Sequence, residues 1–212
     1  MGRALKNLSY IFFPRRCVLC GEVVLPQDEL CEQCADYLEH APAPATYNEI
    51  VAPFAYSGAI RAALHQFKFN GNLDSVPFFT KHMADALRGL TDGFEALCFV
   101  PLHATRQKSR GYNQSEVLAR GLAQRLGLPL RGDLLVRLRD TQSQREFDYM
   151  GRQKNVCGAF SVAENTGLNG SRLLLIDDIT TTGATLRECM AVLLAAGATE
   201  VIGAAVASTP LS

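Results

Sequence analysis

Apolar residues return along this chain in two rhythms. From Ala59 to Phe69 and from Val76 to Leu90 they recur every third or fourth position, with a glycine near each end, which predicts two amphipathic helices. Leu97 to Pro101, Leu173 to Ile176 and Val201 to Ala207 are instead short apolar runs, the pattern of strands buried on both faces. Ile50 to Tyr56 reads as a further strand. Ser115 to Leu126 reads as a helix ended by Gly127, and Ala184 to Ala196 as another. Strands that alternate with helices predict an α/β fold, a parallel sheet flanked by helices on both faces.

The first part of the chain follows neither rhythm for long. Leu5, Leu8, Ile11 and Phe12 lie at helical spacing before Pro14, so residues 1–16 predict a short amphipathic helix. The stretch Ala41-Pro42-Ala43-Pro44-Ala45 reads as a stiff, extended linker. It places a boundary near residue 45, with a small module over 1–45 and the α/β domain over 46–212.

Composition narrows the choice of chemistry. Of the 212 residues nearly half are apolar, enough for an ordinary buried core, and 21 basic side chains balance 21 acidic ones. Overall charge therefore names no polyanionic partner. Between Pro101 and Asn155, however, eleven basic residues stand against five acidic ones, a local positive surplus. No apolar run approaches the ~18 residues of a membrane span, and Lys6 and Asn7 interrupt any secretory signal, so a cytoplasmic location is expected. Thiols stay reduced there, which makes the seven cysteines metal ligands or buried hydrophobes and not disulfides.

Four of them are paired as Cys17-x-x-Cys20 and Cys31-x-x-Cys34, ten residues apart. A two-residue spacing lets both sulfurs of one turn face the same ion, and Gly21 suits the tight knuckle. Four thiolates leave no coordination position open, so the expected zinc is structural, in a compact zinc-ribbon-like module. Cys98, Cys157 and Cys189 are isolated and are expected in the core.

The most specific string is Leu173-Leu174-Leu175-Ile176-Asp177-Asp178-Ile179-Thr180-Thr181-Thr182-Gly183-Ala184-Thr185. An apolar strand releases two carboxylates at its carboxyl end, where ligands of open α/β sheets bind. A hydroxyl-rich glycine turn then leads into a helix whose amino terminus, with its backbone N–H groups, cradles a phosphate monoester. The string resembles the phosphoribosyl pyrophosphate motif of type I phosphoribosyltransferases. That resemblance implies ribose hydroxyls on Asp177 and Asp178 and a 5-phosphate wrapped by Thr181, Thr182, Gly183, Ala184 and Thr185, with Thr180 also in the phosphoribosyl pyrophosphate site. It also implies magnesium, arriving with the substrate pyrophosphate.

A second string, Arg106-x-Lys108-x-Arg110-Gly111-Tyr112-Asn113-Gln114, comes after the strand that ends at Pro101. Arginine forks and N–H groups at a helix start suit a pyrophosphate. This string resembles the signature of the ComF/GntX family, as do Arg137, Arg139, Thr141, Gln144, Arg152, Asn155 and Phe160 further on. Phe147 stands where that family usually has an aliphatic residue. The resemblance implies a type I phosphoribosyltransferase domain in which Asp177, Asp178, Arg106, Lys108 and Arg110 act in catalysis. Gly111, Asn113 and Gln114 would join the phosphoribosyl pyrophosphate site, and the polar stretch from Asp140 to Asn155 would be a lid. It implies transfer of a phosphoribosyl group to a nitrogen acceptor that no segment identifies. Two alternatives stay open: a protein handling single-stranded DNA alongside DNA-uptake proteins, with Tyr112, Phe147 and Tyr149 stacking on bases, and a sensor that keeps the pocket without turnover.

Overall fold

The computed structural model describes residues 14–44, 49–139, 156–164 and 166–209. Residues 1–13 of the expected amino-terminal helix, Ala45 of the linker and the whole expected lid from Asp140 to Asn155 lie outside them. The chain divides into two compact units: Met1–Pro42 with Ser57–Ser75, and Ala43–Tyr56 with Val76–Ser212.

In the first unit, the cysteine knuckles precede helix α1 (Glu32–His40), and helix α2 (Gly58–Phe69) comes much later in the chain. Ile60, Ala63, Leu64 and Phe67 recur on one face of α2 and are buried, as the helical spacing requires. The Tyr37 hydroxyl of α1 meets Ser57 Oγ at 2.6 Å, just before α2 starts. Gly58 has φ 42, and a Cβ there would come within 2.3 Å of the Tyr37 ring, so only glycine fits.

The second unit is a parallel sheet. Strand β1 (Ile50–Val51) and strand β2 (Phe54–Ala55) both pair with β7 (Glu200–Ser208), which pairs with β6 (Arg172–Thr180), which pairs with β3 (Ala96–Phe99). The single strand expected over Ile50–Tyr56 is split, because Pro53 between its halves has no N–H for the ladder. Leu173 to Ile176 are at most 2% exposed. Each such side chain contributes about 1.5–3 kcal/mol by leaving water.

Helix α5 (Gln114–Leu126) lies on β3 and β6, while α3 (Val76–Ala86) packs on α5 and β7. Helix α6 (Ala184–Ala195) packs on β6 and β7 and joins Leu186, Cys189, Met190 and Leu193 to the core containing Leu173 and Leu175. Helix α3 ends four residues before the expected Leu90: Arg88 N donates to Asp85 O at 3.3 Å, and Gly89 has φ 79. Two features were not expected. Strands β4 (Leu135–Arg137) and β5 (Phe160–Val162) pair antiparallel, with β5 against α6, and α4 (Ala104–Arg110) is a short helix in the basic string.

Cys98 and Cys189 are buried as expected, and burial pushes the Cys98 thiol up to about 12. Cys157 is a correction: it is exposed, in the turn before β5. Among the described residues no helix is long and apolar enough to cross a membrane.

Candidate functional site at the carboxyl edge of the sheet

Strand β6 carries its apolar run to Ile176 and then delivers two acids. Asp177 is half-buried and Asp178 is 8% exposed. Charged groups this close to a core must be hydrogen-bonded, and both are. Asp177 Oδ1 accepts from Ser115 Oγ at 2.8 Å and from the N–H of Asp178 at 2.9 Å, and Asp178 Oδ1 accepts from the N–H of Ile179 at 2.8 Å. Strand β3 ends beside Ile176, where Val100 N donates to Ile176 O, while β7 runs on beside β6 until Thr209 N donates to Thr180 O, each at 2.9 Å, so both acids stand in the last four residues of β6, past the end of β3. The acids therefore emerge at the carboxyl edge of the parallel sheet.

The turn beyond them brings Thr181 to the surface and leaves Thr182 and Thr185 half-buried. Thr182 Oγ1 accepts from Ala184 N at 3.3 Å, and Gly183, at φ 76, is the residue from which α6 starts. Arg187, one turn into α6, folds back to donate from Nη2 to Thr182 O. A Cβ on Gly183 would lie 2.9 Å from its guanidinium carbon. The positive backbone angle is what asks for glycine here, since the end of the flexible arginine could move aside.

The basic string stands beside the acids as helix and cap. Residues two apart on a helix lie about 200° apart around its axis, so Arg106 and Arg110 share one face of α4 and Lys108 points to the other side. Gly111 ends α4 in the left-handed conformation, at φ 80. Asn113 then caps α5: its Oδ1 accepts from Ser115 N and its Nδ2 donates to Val100 O, both at 3.0 Å. Arg110 Nη1 donates to Gln114 Oε1 at 3.2 Å. Asn113, Gln114 and Ser115 are all buried. Burial raises the Tyr112 phenol above its ordinary range, with the Asp178 charge adding to the rise and the Gln114 hydrogen bond and Arg110 opposing it. Tyr112 therefore lies within electrostatic reach of both an acid of β6 and the last arginine of α4.

The expected residues fall into three groups. Asp177, Asp178 and Thr180 to Thr185 form one continuous strand, turn and helix start. Arg110, Gly111, Asn113 and Gln114 form the α4–α5 junction, which Ser115 links to Asp177. Lys108 faces away from Arg106 and Arg110. Two residues of the site were missed in the sequence: Ser115, directly after the basic string, and Arg187, four residues beyond Gly183.

The cysteine cluster is a separate centre. The four sulfurs of Cys17, Cys20, Cys31 and Cys34 all lie within 4.8 Å of one another, with Cys20 and Cys31 at 3.6 Å. Zinc–sulfur bonds of about 2.3 Å in a tetrahedron separate sulfurs by roughly 3.8 Å, so the cage has the right size. Burial pushes the Cys17 thiol up, but the N–H groups of Cys31, Cys20 and Leu19 outweigh it and bring the thiol down to about 7. Cys34 moves the other way, raised by burial and by its three neighbouring thiols. Thiols this crowded cannot all ionise without a cation between them, and a tetrahedral sulfur set fits structural zinc.

Two family models match the chain. Residues 8–46 match the double zinc ribbon domain, and residues 113–211 match the phosphoribosyl transferase domain. The matched ribbon contains Cys17, Cys20, Cys31 and Cys34 and no further cysteine, a ligand set for one tetrahedral ion. The DNA utilization protein YhgH of Salmonella typhimurium is 27% identical over 199 residues, 87% of this chain and 86% of that protein. Competence protein F of Haemophilus influenzae is 27% identical over 188 residues, 86% and 81% of the two chains. Among solved structures, the glutamine phosphoribosylpyrophosphate amidotransferase of B. subtilis aligns with 62% of this chain at 22% identity and a TM-score of 0.40, and the match spans 26% of its own chain.

Proposed function

We propose that this chain, which belongs to the ComF family of proteins joining a zinc ribbon to a phosphoribosyl transferase domain, binds phosphoribosyl pyrophosphate at the carboxyl edge of its sheet. The observation that carries this reading is the adjacency of Asp177 and Asp178 to the Thr181–Gly183 turn at the start of α6. Two fixed carboxylates suit the vicinal hydroxyls of a ribose. A glycine turn at the positive end of a twelve-residue helix suits the 5-phosphate. Arg106 and Arg110 supply donors for the pyrophosphate, and Lys108 adds only to the wider positive field. Magnesium, bound with the pyrophosphate, would neutralise part of its charge. In a transfer reaction a nitrogen acceptor attacks ribose C1 as the bond from C1 to pyrophosphate breaks, and the protein's part is electrostatic.

Asp177→Asn combined with Asp178→Asn tests the assignment. Asparagine keeps an oxygen acceptor for Ser115 and for the backbone N–H groups, so the double variant should unfold at nearly the wild-type temperature. Hydrogen bonds to a charged partner contribute about 1.5–3 kcal/mol each, so affinity for magnesium phosphoribosyl pyrophosphate should fall a hundredfold or more by calorimetric titration. Unchanged affinity would remove the ribose site from this strand.

A second reading has its own support, in the relatives named for DNA utilization and competence and in the basic surplus between Pro101 and Asn155. It predicts weak, sequence-independent binding of single-stranded DNA. Arg137, stacked over the Phe160 ring at 5.2 Å, and the exposed Arg139 are the described residues to replace. Every nucleic-acid phosphate that goes unneutralised in a variant should flatten the logarithmic salt slope by about 0.7. Absence of binding at low salt would end this reading.

A further inference from the structure

Ser115 is the second residue of α5 and is 4% exposed. A buried hydroxyl needs a partner for its proton, and this one gives it to Asp177 Oδ1 at 2.8 Å. The same oxygen accepts the N–H of Asp178 at 2.9 Å. One donor comes from α5 and the other from β6. A carboxylate otherwise turns freely about its last bond, since that torsion is broad. Two donors of independent origin converging on one oxygen hold it at a single angle, so the rest of the carboxylate faces a fixed direction.

Ser115 is itself anchored. Its N–H is taken by Asn113 Oδ1, and Asn113 Nδ2 reaches Val100 O beyond the end of β3, both at 3.0 Å. Asn113 is 3% exposed. A rail of hydrogen bonds thus runs from the end of one strand, through the cap of α5, to the first acid of the neighbouring strand. The rail joins the basic junction to the acidic pair.

We infer that Ser115 is a positioning residue: it sets the angle at which Asp177 meets a ribose diol, and Asn113 holds Ser115 in place. The inference rests on reading the acidic pair as the ribose site. A merely structural serine would affect stability, or the binding of every ligand alike. A positioning serine affects ligands that carry the ribose and acts only through Asp177.

The experiment is a calorimetric titration of the full chain, zinc-loaded and with magnesium, using phosphoribosyl pyrophosphate and, separately, inorganic pyrophosphate. The proteins are wild type, Ser115→Ala, Ser115→Cys, Asp177→Ala and the Ser115→Ala/Asp177→Ala double variant. Cysteine nearly preserves the side-chain volume while weakening the donor, so it separates hydrogen bonding from packing. Both Ser115 variants should bind phosphoribosyl pyrophosphate about tenfold more weakly, as expected for one lost hydrogen bond to a charged group. Pyrophosphate affinity should not change, and Ser115→Ala should cost nothing further once Asp177→Ala has removed the acceptor. If the wild type does not bind phosphoribosyl pyrophosphate, the ribose reading and this inference fall together. If it binds, and either Ser115 variant matches it, or the loss repeats in full on the Asp177→Ala background, only the role of Ser115 is overturned.

Discussion

Arg106, Lys108 and Arg110 look equivalent when written out in a row, and the backbone makes them unequal. The i, i+4 pair shares a face of α4 while the residue between them turns away. Replacing Arg106 and Arg110 with alanine should therefore weaken inorganic pyrophosphate binding by at least tenfold, whereas Lys108→Ala should shift it by no more than about threefold. Equal losses in a titration of the variants would show that the string acts as an undirected positive patch. The acids and threonines of β6 and its turn were legible because they are contiguous: one stretch of chain carries strand, carboxylates, turn and helix start. Ser115 was not, because its partner Asp177 lies 62 positions away. Arg187 was hidden for another reason. Its spacing marks it as an ordinary helix residue, and only the side chain's return to Thr182 O brings it to the turn.

At the level of elements, legibility went with burial. Strands β6 and β7 are nine residues each and mostly buried, so their apolar runs stand out against any background. Strands β4 and β5 are three residues each, and Val136 in the middle of β4 is 44% exposed. Neither alternation nor a run can be established over that length. Helix α4 has no buried residue, so it lacks the one-sided apolar stripe by which helices are recognised. What marks it instead is local: His103 Nδ1 accepts from Thr105 N at 3.4 Å at one end, and Gly111 turns left-handed at the other. Such caps specify where a helix stops more firmly than that one exists.

Across the whole molecule the zinc ligands do more than hold their own knuckles. Metal binding energy is folding energy for a small module, and the first unit includes α2 as well as the cysteines. Stripping the metal with a chelator should therefore speed amide hydrogen exchange in residues 58–69 along with residues 17–40, while β6 and β7 keep their protection. Retained protection in α2 would mean that its fold does not depend on the ion. No composition change separates Ser57–Ser75 from the segment that begins at Val76, which is why a sequence in which the Ala-Pro stretch near residue 45 is the plain break does not disclose this membership. The division also means that the chain passes between units three times, after Pro42, after Tyr56 and after Ser75. A protease cutting at the Ala-Pro stretch would thus fail to excise a self-sufficient appendage. The released piece would leave Ile60, Ala63, Leu64 and Phe67 behind on the remainder, deprived of most of the unit in which they are buried, so the two segments can be gained, lost or transplanted only together.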